Sequence, residues 1–162
     1  MHVRQAVPQD LAEVAALFDE YRGFYGRPSD PALAKRFLEE RMSNQDSLIL
    51  VAESSQREVA AFTQLYPSFS SLSAAPVYVL NDLYVAPAHR RQGAARALLE
   101  AARELAQQKG AVALSLSTAV DNESAQALYE SLGWLRDKQF LHYNLTVEAN
   151  HTFQPTALKR GG

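Results

Sequence analysis

The chain has 162 residues, enough for one domain with a full hydrophobic core and too few for two comfortable ones. Its 47% hydrophobic and 21% charged residues are typical of a globular protein, and its net charge of −2 argues against a generic nucleic-acid binder. The absence of cysteine excludes disulfides, thiolate metal sites and a cysteine nucleophile. The four histidines are not paired at metal-ligand spacing, so we expect no metal.

The first half of the chain predicts two helices followed by strands. Residues 2–6 are a short strand candidate, and Pro8 suits the first position of a helix that Gly23 and Gly26 break. Asp30 precedes a second helix. Three strand candidates follow, of which the first two suggest an antiparallel hairpin: 47–54, 58–66 and 77–85. A serine-rich segment, 67–76, is predicted as a loop between the last two.

The second half alternates helices and strands. Apolar residues recur at helical spacing from Gly93 to Lys109, and Gly110 suits the end of that helix. The remaining predicted elements are a strand at 111–118, a short helix from Asn122 to Leu132 and a last strand at 140–147.

The element order β-α-α-β-β-β-α-β-α-β predicts an α/β or α+β fold. Such an order suits a mixed, mostly antiparallel central sheet with helices on both faces. We expect one domain over residues 1–148 and a loose polar tail over 149–162. No segment approaches the roughly 18 apolar residues of a membrane span, and the N-terminus resembles no signal peptide. We therefore expect a cytoplasmic protein without a membrane partner.

The segment 88–99, AHRRQGAARALL, suggests a phosphate site at a helix start. The first turn of a helix carries unpaired N–H groups and partial positive charge, which suit a phosphate. Gly93 lets a ligand approach the backbone closely. Small side chains keep the floor low and arginines add charge at the rim: Ala94, Ala95, Arg90, Arg91 and Arg96. The alternative is a solvated basic turn before a core helix, and the P-loop and dinucleotide fingerprints are not present.

Within that segment, Arg90, Gly93 and Ala95 form the pattern R-x-x-G-x-A. It resembles the pyrophosphate-binding signature [QR]-x-x-G-x-[GA] of the GNAT-type N-acetyltransferase superfamily. A second block of that superfamily is matched by LSLSTAVDNESAQALYESLGW, which contains Asn122, Ala125, Tyr129, Gly133 and Trp134. The strand LNDLYV is similar to the LEDFFV-type strand of diamine acetyltransferases and of other polyamine- or lysine-directed members.

The resemblance implies direct transfer of acetyl from acetyl-CoA to a primary amine, through a ternary complex and without a covalent enzyme intermediate. In the family, the strand matching DLYV splays from its neighbour and pairs with the pantetheine arm. Leu83 would then supply the N–H that polarises the thioester carbonyl. The cofactor-binding residues implied in this way are Leu83, Tyr84, Val85, Arg90, Arg91, Gln92, Gly93, Ala94, Ala95, Arg96, Asn122 and Ser124.

Tyr129 matches the family's general acid, which gives a proton to the departing CoA thiolate. The alternative is an ordinary buried tyrosine on the inner side of a short helix. Asn122 would contact the CoA arm or cap its helix, and both roles are compatible.

The general base is left open by the sequence. Diamine acetyltransferases carry a glutamate where this chain has Asn81, and an asparagine cannot accept a proton at useful pH. Asp82 is the neighbouring carboxylate, but strand alternation points it to the other face of the sheet. Asp82 would act as base through a water molecule, or it would simply pair with an arginine. The alternative general base is a chain of water molecules.

Candidate acceptor residues lie in the first helix, where DEYRGFYG combines carboxylates with aromatic faces that suit a cationic amine. Glu20, Tyr21 and Tyr25, together with Asn81, are the substrate candidates. Asp19, Phe24, Tyr66, Phe69 and Tyr143 are further ones. The alternative is that the aromatic rings belong to the core and the acids are solvated.

Three rival functions remain at this point. The first is a catalytically silent acyl-CoA-binding module that regulates a partner. The second is a nucleic-acid-binding domain that uses HRRQ, and the third is a transferase for another acyl donor. Net charge disfavours a nucleic-acid partner. The superfamily often forms dimers, so a homodimer is expected by analogy, while the identity of the amine is open.

Overall fold

The computed structural model describes residues 1–148, and the tail predicted at 149–162 lies outside the described residues. These residues belong to two compact units, 1–117 and the part of the chain from 118 onward. The regular elements are β1 (His2–Gln5), α1 (Leu11–Phe24), α2 (Pro31–Asn44), β2 (Leu48–Glu53), β3 (Val59–Ser70), β4 (Ala75–Val85), α3 (Ala94–Gln108), β5 (Leu114–Ser115) and α4 (Glu123–Ser131). Short 3-10 turns at Pro8–Asp10 and Pro87–His89 precede α1 and α3.

The first unit is built on a five-stranded sheet whose strands lie in chain order, β1-β2-β3-β4-β5. The pairs β1–β2, β2–β3 and β3–β4 are antiparallel, and the pair β4–β5 is parallel. The predicted mixed, mostly antiparallel sheet is therefore confirmed.

Helices α1 and α2 cover one face of this sheet. Their apolar residues form one buried cluster with alternate residues of the strands, including Ile49, Val51, Phe62 and Tyr84. Because side chains alternate along a strand, Leu50 and Ala52, which are also buried, point to the opposite face.

Helix α3 packs on that opposite face, since it contacts β2, β3 and β4 while its buried residues lie outside the α1–α2 cluster. It buries Ala94, Leu98, Leu99, Ala102 and Ala106 against the sheet. The sheet thus has helices on both faces, as the element order predicts. No helix within residues 1–148 is long and apolar enough to cross a membrane.

Two boundaries predicted around β4 are wrong. Most of the serine-rich segment 67–76 is strand, because the antiparallel ladder continues from Pro67↔Tyr78 to Ser70↔Ala75 and the true turn is only 71–74. The strand predicted at 111–118 is reduced to Leu114–Ser115, which forms only the two pairs Tyr78↔Leu114 and Val79↔Ser115 with β4.

The last predicted strand, 140–147, is also wrong, and the described element order ends at α4. Its alternating apolar residues have strand propensity, but a strand also needs a ladder of partner hydrogen bonds, and this segment joins none among residues 1–148. Its large apolar side chains are exposed: Phe140, Leu141, Tyr143, Leu145 and Val147.

A partly buried network of ion pairs connects β1 to the start of α1 and to β2. Arg4 donates to both carboxylate oxygens of Asp10, at 2.7 and 2.9 Å, and its Nε donates to Glu53 on β2 at 2.9 Å. The backbone N–H of Val7 donates to Asp10 as well, at 2.7 Å. The hydrogen bonds from Arg4 hold the pKa of Asp10 below its usual value.

Replacing Asp10 with asparagine should lower the free energy of unfolding by about 1–2 kcal/mol at neutral pH, since the amide keeps an acceptor for Val7 but loses the charged bonds to Arg4. The Asp10 pKa is depressed in the folded state, so its contribution is complete above the unfolded pKa and disappears as pH falls through the folded pKa. Urea unfolding of wild type and Asp10→Asn at neutral and acid pH measures this difference.

The control is Glu39→Gln, which removes a carboxylate from the exposed surface of α2. It should change stability by less than about 0.5 kcal/mol. An Asp10→Asn deficit that persisted undiminished in acid would contradict the ion-pair explanation.

Candidate functional site

The centre of the candidate site is a β-bulge in the hairpin of β3 and β4. Gln64 pairs with Asp82 but the next residue, Leu65, pairs with Leu80, so Asn81 is an extra residue on β4. A bulge breaks the alternation of side chains and increases the local twist of the strand. The prediction that Asn81 and Asp82 point to opposite faces is therefore wrong, because Asn81 Nδ2 donates to Asp82 Oδ1 at 2.8 Å.

Asp82 is a buried carboxylate, 1% exposed, on the α1 side of the sheet. Gln64 Nε2 donates to its Oδ2 at 2.6 Å. The hydroxyl of Tyr21 on α1 donates to the backbone carbonyl of Asn81 at 3.3 Å and lies near enough to Asp82 to affect the pKa of that carboxyl. Burial raises the pKa of Asp82, and the bonds from Gln64, Asn81 and Tyr21 partly offset that rise. The structure thus holds in its interior a carboxyl that gains protons more readily than a solvated one.

Phenol rings surround this carboxyl. Tyr21 packs edge-on against Tyr25 with ring centres 5.0 Å apart, and against Phe62 at 6.3 Å. Burial, followed by the nearby charge of Asp82, raises the pKa of Tyr21, of Tyr25 and of Tyr66 on β3. These tyrosines therefore keep their protons at neutral pH and remain hydrogen-bond donors.

Strand β4 loses its partner on one edge just before the bulge. Its parallel ladder with β5 consists of Tyr78↔Leu114 and Val79↔Ser115, although β4 itself continues to Val85. On the other edge, pairing with β3 continues to Ala61↔Val85. Within the first unit, the stretch 83–85 therefore has a backbone edge beyond the end of the β5 ladder, which an extended ligand can use for hydrogen bonds.

The predicted phosphate site is a left-handed turn at the start of α3. Gly93, the residue before the helix, has φ +83° and Arg91 has φ +61°. Within residues 1–148, no side chain caps this helix, and its first turn contains no acidic residue, so the helix supplies no anion of its own to its first amide groups. A Cβ built on Gly93 would meet nothing within 4 Å.

The side chains of this turn differ in their exposure. Arg90, Arg91, Gln92 and Arg96 are exposed, whereas Ala94 is buried and Ala95 half-buried. The low floor and charged rim expected from the sequence are thus present at one helix start.

Arg90 connects this turn to α1 through Tyr84. Its guanidinium lies 5.8 Å from the centre of the Tyr84 ring, and its Nε donates to the carbonyl of Val85 at 3.3 Å. The Tyr84 hydroxyl donates to Glu20 on α1 at 3.1 Å. Glu20, a predicted substrate residue, thus accepts a hydrogen bond from Tyr84.

The second unit contains Asn122 and Tyr129. The Asn122 side chain accepts from the N–H of Ala125 at 3.2 Å, which confirms the predicted N-cap of α4. Tyr129 is half-buried on α4, and its ring centre lies 6.2 Å from that of Trp134. Ser124 is exposed in the first turn of α4.

Of the predicted acceptor residues, the structure brings together Tyr21, Tyr25, Asn81 and Tyr66 around Asp82. Phe69 and Tyr143 are largely exposed, at 80% and 88%. Sequence reasoning missed Gln64 and Ser47, whose Oγ donates to Gln64 Oε1 at 2.9 Å. The signal that could have found Gln64 is an amide side chain in the middle of the apolar strand VAAFTQLY. A buried amide needs hydrogen-bond partners, so this position predicts a polar contact inside the core. Within residues 1–148 there is no cluster of three or more metal-ligating side chains.

Comparison with known proteins supports one family. A model of the acetyltransferase (GNAT) family matches residues 14–134. The uncharacterized N-acetyltransferase YhfO of Bacillus subtilis (strain 168) is 47% identical over 149 residues, which are 92% of this chain and 99% of that protein. A crystal structure of a probable acetyltransferase superposes with a TM-score of 0.86 at 44% identity, over 91% of this chain and 99% of that one.

A more distant relative, the aminoglycoside N(6′)-acetyltransferase type 1 of Acinetobacter haemolyticus, is 32% identical over 45% of this chain and half of its own length. The match of the family model over most of the chain, together with the long match to YhfO, shows that this chain belongs to the acetyltransferase (GNAT) family.

Proposed function

We propose that this acetyltransferase moves the acetyl group of acetyl-CoA directly to a primary amine, in a ternary complex of enzyme and both substrates. The observation that carries the proposal is the end of the β4–β5 ladder at Val79↔Ser115, ahead of the stretch 83–85. The pantetheine arm is an extended chain of amides, which suits an unpaired strand edge. Backbone groups of Leu83, Tyr84 and Val85 would bind it, and the Leu83 N–H would polarise the thioester carbonyl.

The start of α3 fits the pyrophosphate of acetyl-CoA. Gly93 leaves its backbone open, and the uncapped first turn supplies N–H groups and the positive end of the helix dipole. Amide groups from Arg91 to Arg96 would hold the pyrophosphate, with Arg90 and Gln92 at its rim. Arg90 would leave its bond to the Val85 carbonyl to reach the phosphates. Acetyl-CoA supplies the activated thioester, and no metal is part of the proposal.

Tyr129 is proposed as the general acid. When the tetrahedral intermediate collapses, the C–S bond breaks and the CoA thiolate needs a proton, which a phenol can donate. Asn122 and Ser124, at the start of the same helix, are proposed to contact the CoA arm, and Asn122 does so in addition to capping α4.

The acceptor is proposed to be a small-molecule amine, a polyamine or a lysine side chain. The aromatic rings and carboxylates on α1 suit a cationic amine, with Tyr21, Tyr25, Glu20 and Asn81 as its neighbours. The name of one distant relative adds an aminoglycoside amine to the compounds worth testing. We further propose that residues 1–148 act as one acetyltransferase domain, in the cytoplasm and as a homodimer.

Acetyl-CoA should bind the purified protein one-to-one with micromolar affinity in a calorimetric titration. Gly93→Ala should weaken this binding about tenfold or more, because the added methyl group occupies the space that the pyrophosphate needs. It should also lower the free energy of unfolding by about 1 kcal/mol, since φ +83° disfavours residues with a Cβ.

Gly23→Ala is the matched control, because this glycine is exposed within α1 and its added Cβ would also meet nothing within 4 Å. It should raise stability by about 0.5 kcal/mol and leave acetyl-CoA affinity unchanged. A folded wild-type protein that does not bind acetyl-CoA would contradict the proposed function.

Tyr129→Phe should lower kcat by about 100-fold while leaving acetyl-CoA affinity nearly intact, because only the proton for the thiolate is lost. Release of free CoA thiol with an accepted amine measures kcat, and calorimetry measures affinity. Tyr78→Phe, which removes a phenol hydroxyl from β4, serves as the control and should keep wild-type values.

Equal rates for wild type and Tyr129→Phe would refute the assignment of the acid. Tight acetyl-CoA binding by the wild type without turnover of any amine would instead identify a catalytically silent acyl-CoA-binding module.

A further inference from the structure

We infer that the hydroxyl of Tyr21 carries the proton of the acceptor amine to Asp82, so that Asp82 serves as the base without touching the acceptor. This inference rests on the proposed N-acetyltransferase function and completes the one role that the sequence leaves open. It makes Tyr21 a catalytic residue and Gln64 a positioning residue.

The burial of Asp82 rules out direct contact with a solvent-borne amine in this conformation. Its side chain is 1% exposed, and both of its oxygens accept bonds from within the sheet, from Asn81 at 2.8 Å and from Gln64 at 2.6 Å. Gln64 is itself held by Ser47 at 2.9 Å. The carboxyl is thus fixed in place, and a proton from outside has to reach it through another group.

Tyr21 is placed to be that group. Tyr21 is half-buried, and its hydroxyl donates to the carbonyl oxygen of Asn81 at 3.3 Å, near enough to Asp82 to lower the pKa of that carboxyl. A hydroxyl proton rotates between acceptors, and the oxygen keeps a lone pair for an incoming N–H. Packing against Phe18, Tyr25 and Phe62 fixes the ring.

These groups account for every proton that moves in the proposed reaction. The bound ammonium gives one proton to Tyr21 Oη while Tyr21 passes its own to Asp82, which becomes a neutral carboxylic acid. The freed lone pair forms the C–N bond, the C–S bond breaks, and the thiolate takes the proton of Tyr129. The second proton of the nitrogen restores Tyr129, and Asp82 later returns its proton to water through Tyr21.

The charges around the pair favour this transfer. Burial raises the pKa of Asp82, which brings its proton affinity closer to that of an amine. The titratable neighbours are phenols: Tyr25 on α1, Tyr66 on β3 and Tyr84 on β4. The charged groups farther out have partners of their own. Near Tyr66, Arg41 Nε forms an ion pair with Asp46 at 2.9 Å. Glu20 accepts a hydrogen bond from the Tyr84 hydroxyl.

The test is the pH profile of kcat/KM for acetyl transfer to an amine found by screening, measured for wild type and Tyr21→Phe. The wild type should act on the ammonium form, with a profile that is flat between the pKa of Asp82 and that of the amine. Tyr21→Phe should lower kcat/KM about 100-fold at neutral pH. Its activity should then rise about tenfold per pH unit toward the pKa of the amine, because only free amine reacts.

Acetyl-CoA affinity, measured by calorimetry, should be the same for Tyr21→Phe and wild type, which shows that the variant is folded. Asp82→Asn should give the same sloping profile. The double variant Tyr21→Phe/Asp82→Asn should be no slower than the slower single variant, because both changes interrupt one proton route. Tyr78→Phe again serves as the control with a wild-type profile.

A Tyr21→Phe profile that stays flat and fast, or single losses that multiply in the double variant, would overturn the relay while leaving the acetyltransferase function in place. A wild type that transfers acetyl to no amine would overturn the proposed function and the relay together.

Discussion

The extra residue Asn81 in the pairing of β3 with β4 is the constraint on which the rest of the site depends. It brings the side chains of two consecutive residues, Asn81 and Asp82, into hydrogen-bond contact, which a regular strand forbids. It also adds twist to β4 close to the point where the β5 ladder stops, at Val79↔Ser115. This irregularity therefore fixes the carboxyl of Asp82 close to a strand edge that is free of β5.

In the proposed reaction, the fixed carboxyl serves the amine and the strand edge serves acetyl-CoA. On the α1 side, Asp82 is held by Gln64, and in the proposed relay Tyr21 passes to it the proton of the amine. Along the strand, the edge at 83–85 precedes the turn at Gly93, where α3 begins without a cap. In the proposed reaction, the thioester lies along this edge and the amine approaches from the α1 side, so a single strand supports both halves of the chemistry.

How much the sequence predicted depended on how local each signal was. The helix from Gly93 to Lys109 was predicted well, because apolar periodicity and a glycine at each end are local signals. The bulge at Asn81 was not, since it is a property of two paired strands and leaves no pattern in either one. The same reason explains the overlong strand at 111–118 and the absent strand at 140–147, whose propensity is real but whose partners depend on the sheet.

The most direct measurement of the central claim is amide hydrogen exchange by NMR, with and without acetyl-CoA. If the coenzyme lies along β4 and on the start of α3, the amide groups at 83–85 and 94–96 should include ones that become protected on binding, while those of β1 and β2 stay unchanged. Binding that protects neither stretch, or that protects residues elsewhere on the sheet, would contradict the proposed position of acetyl-CoA.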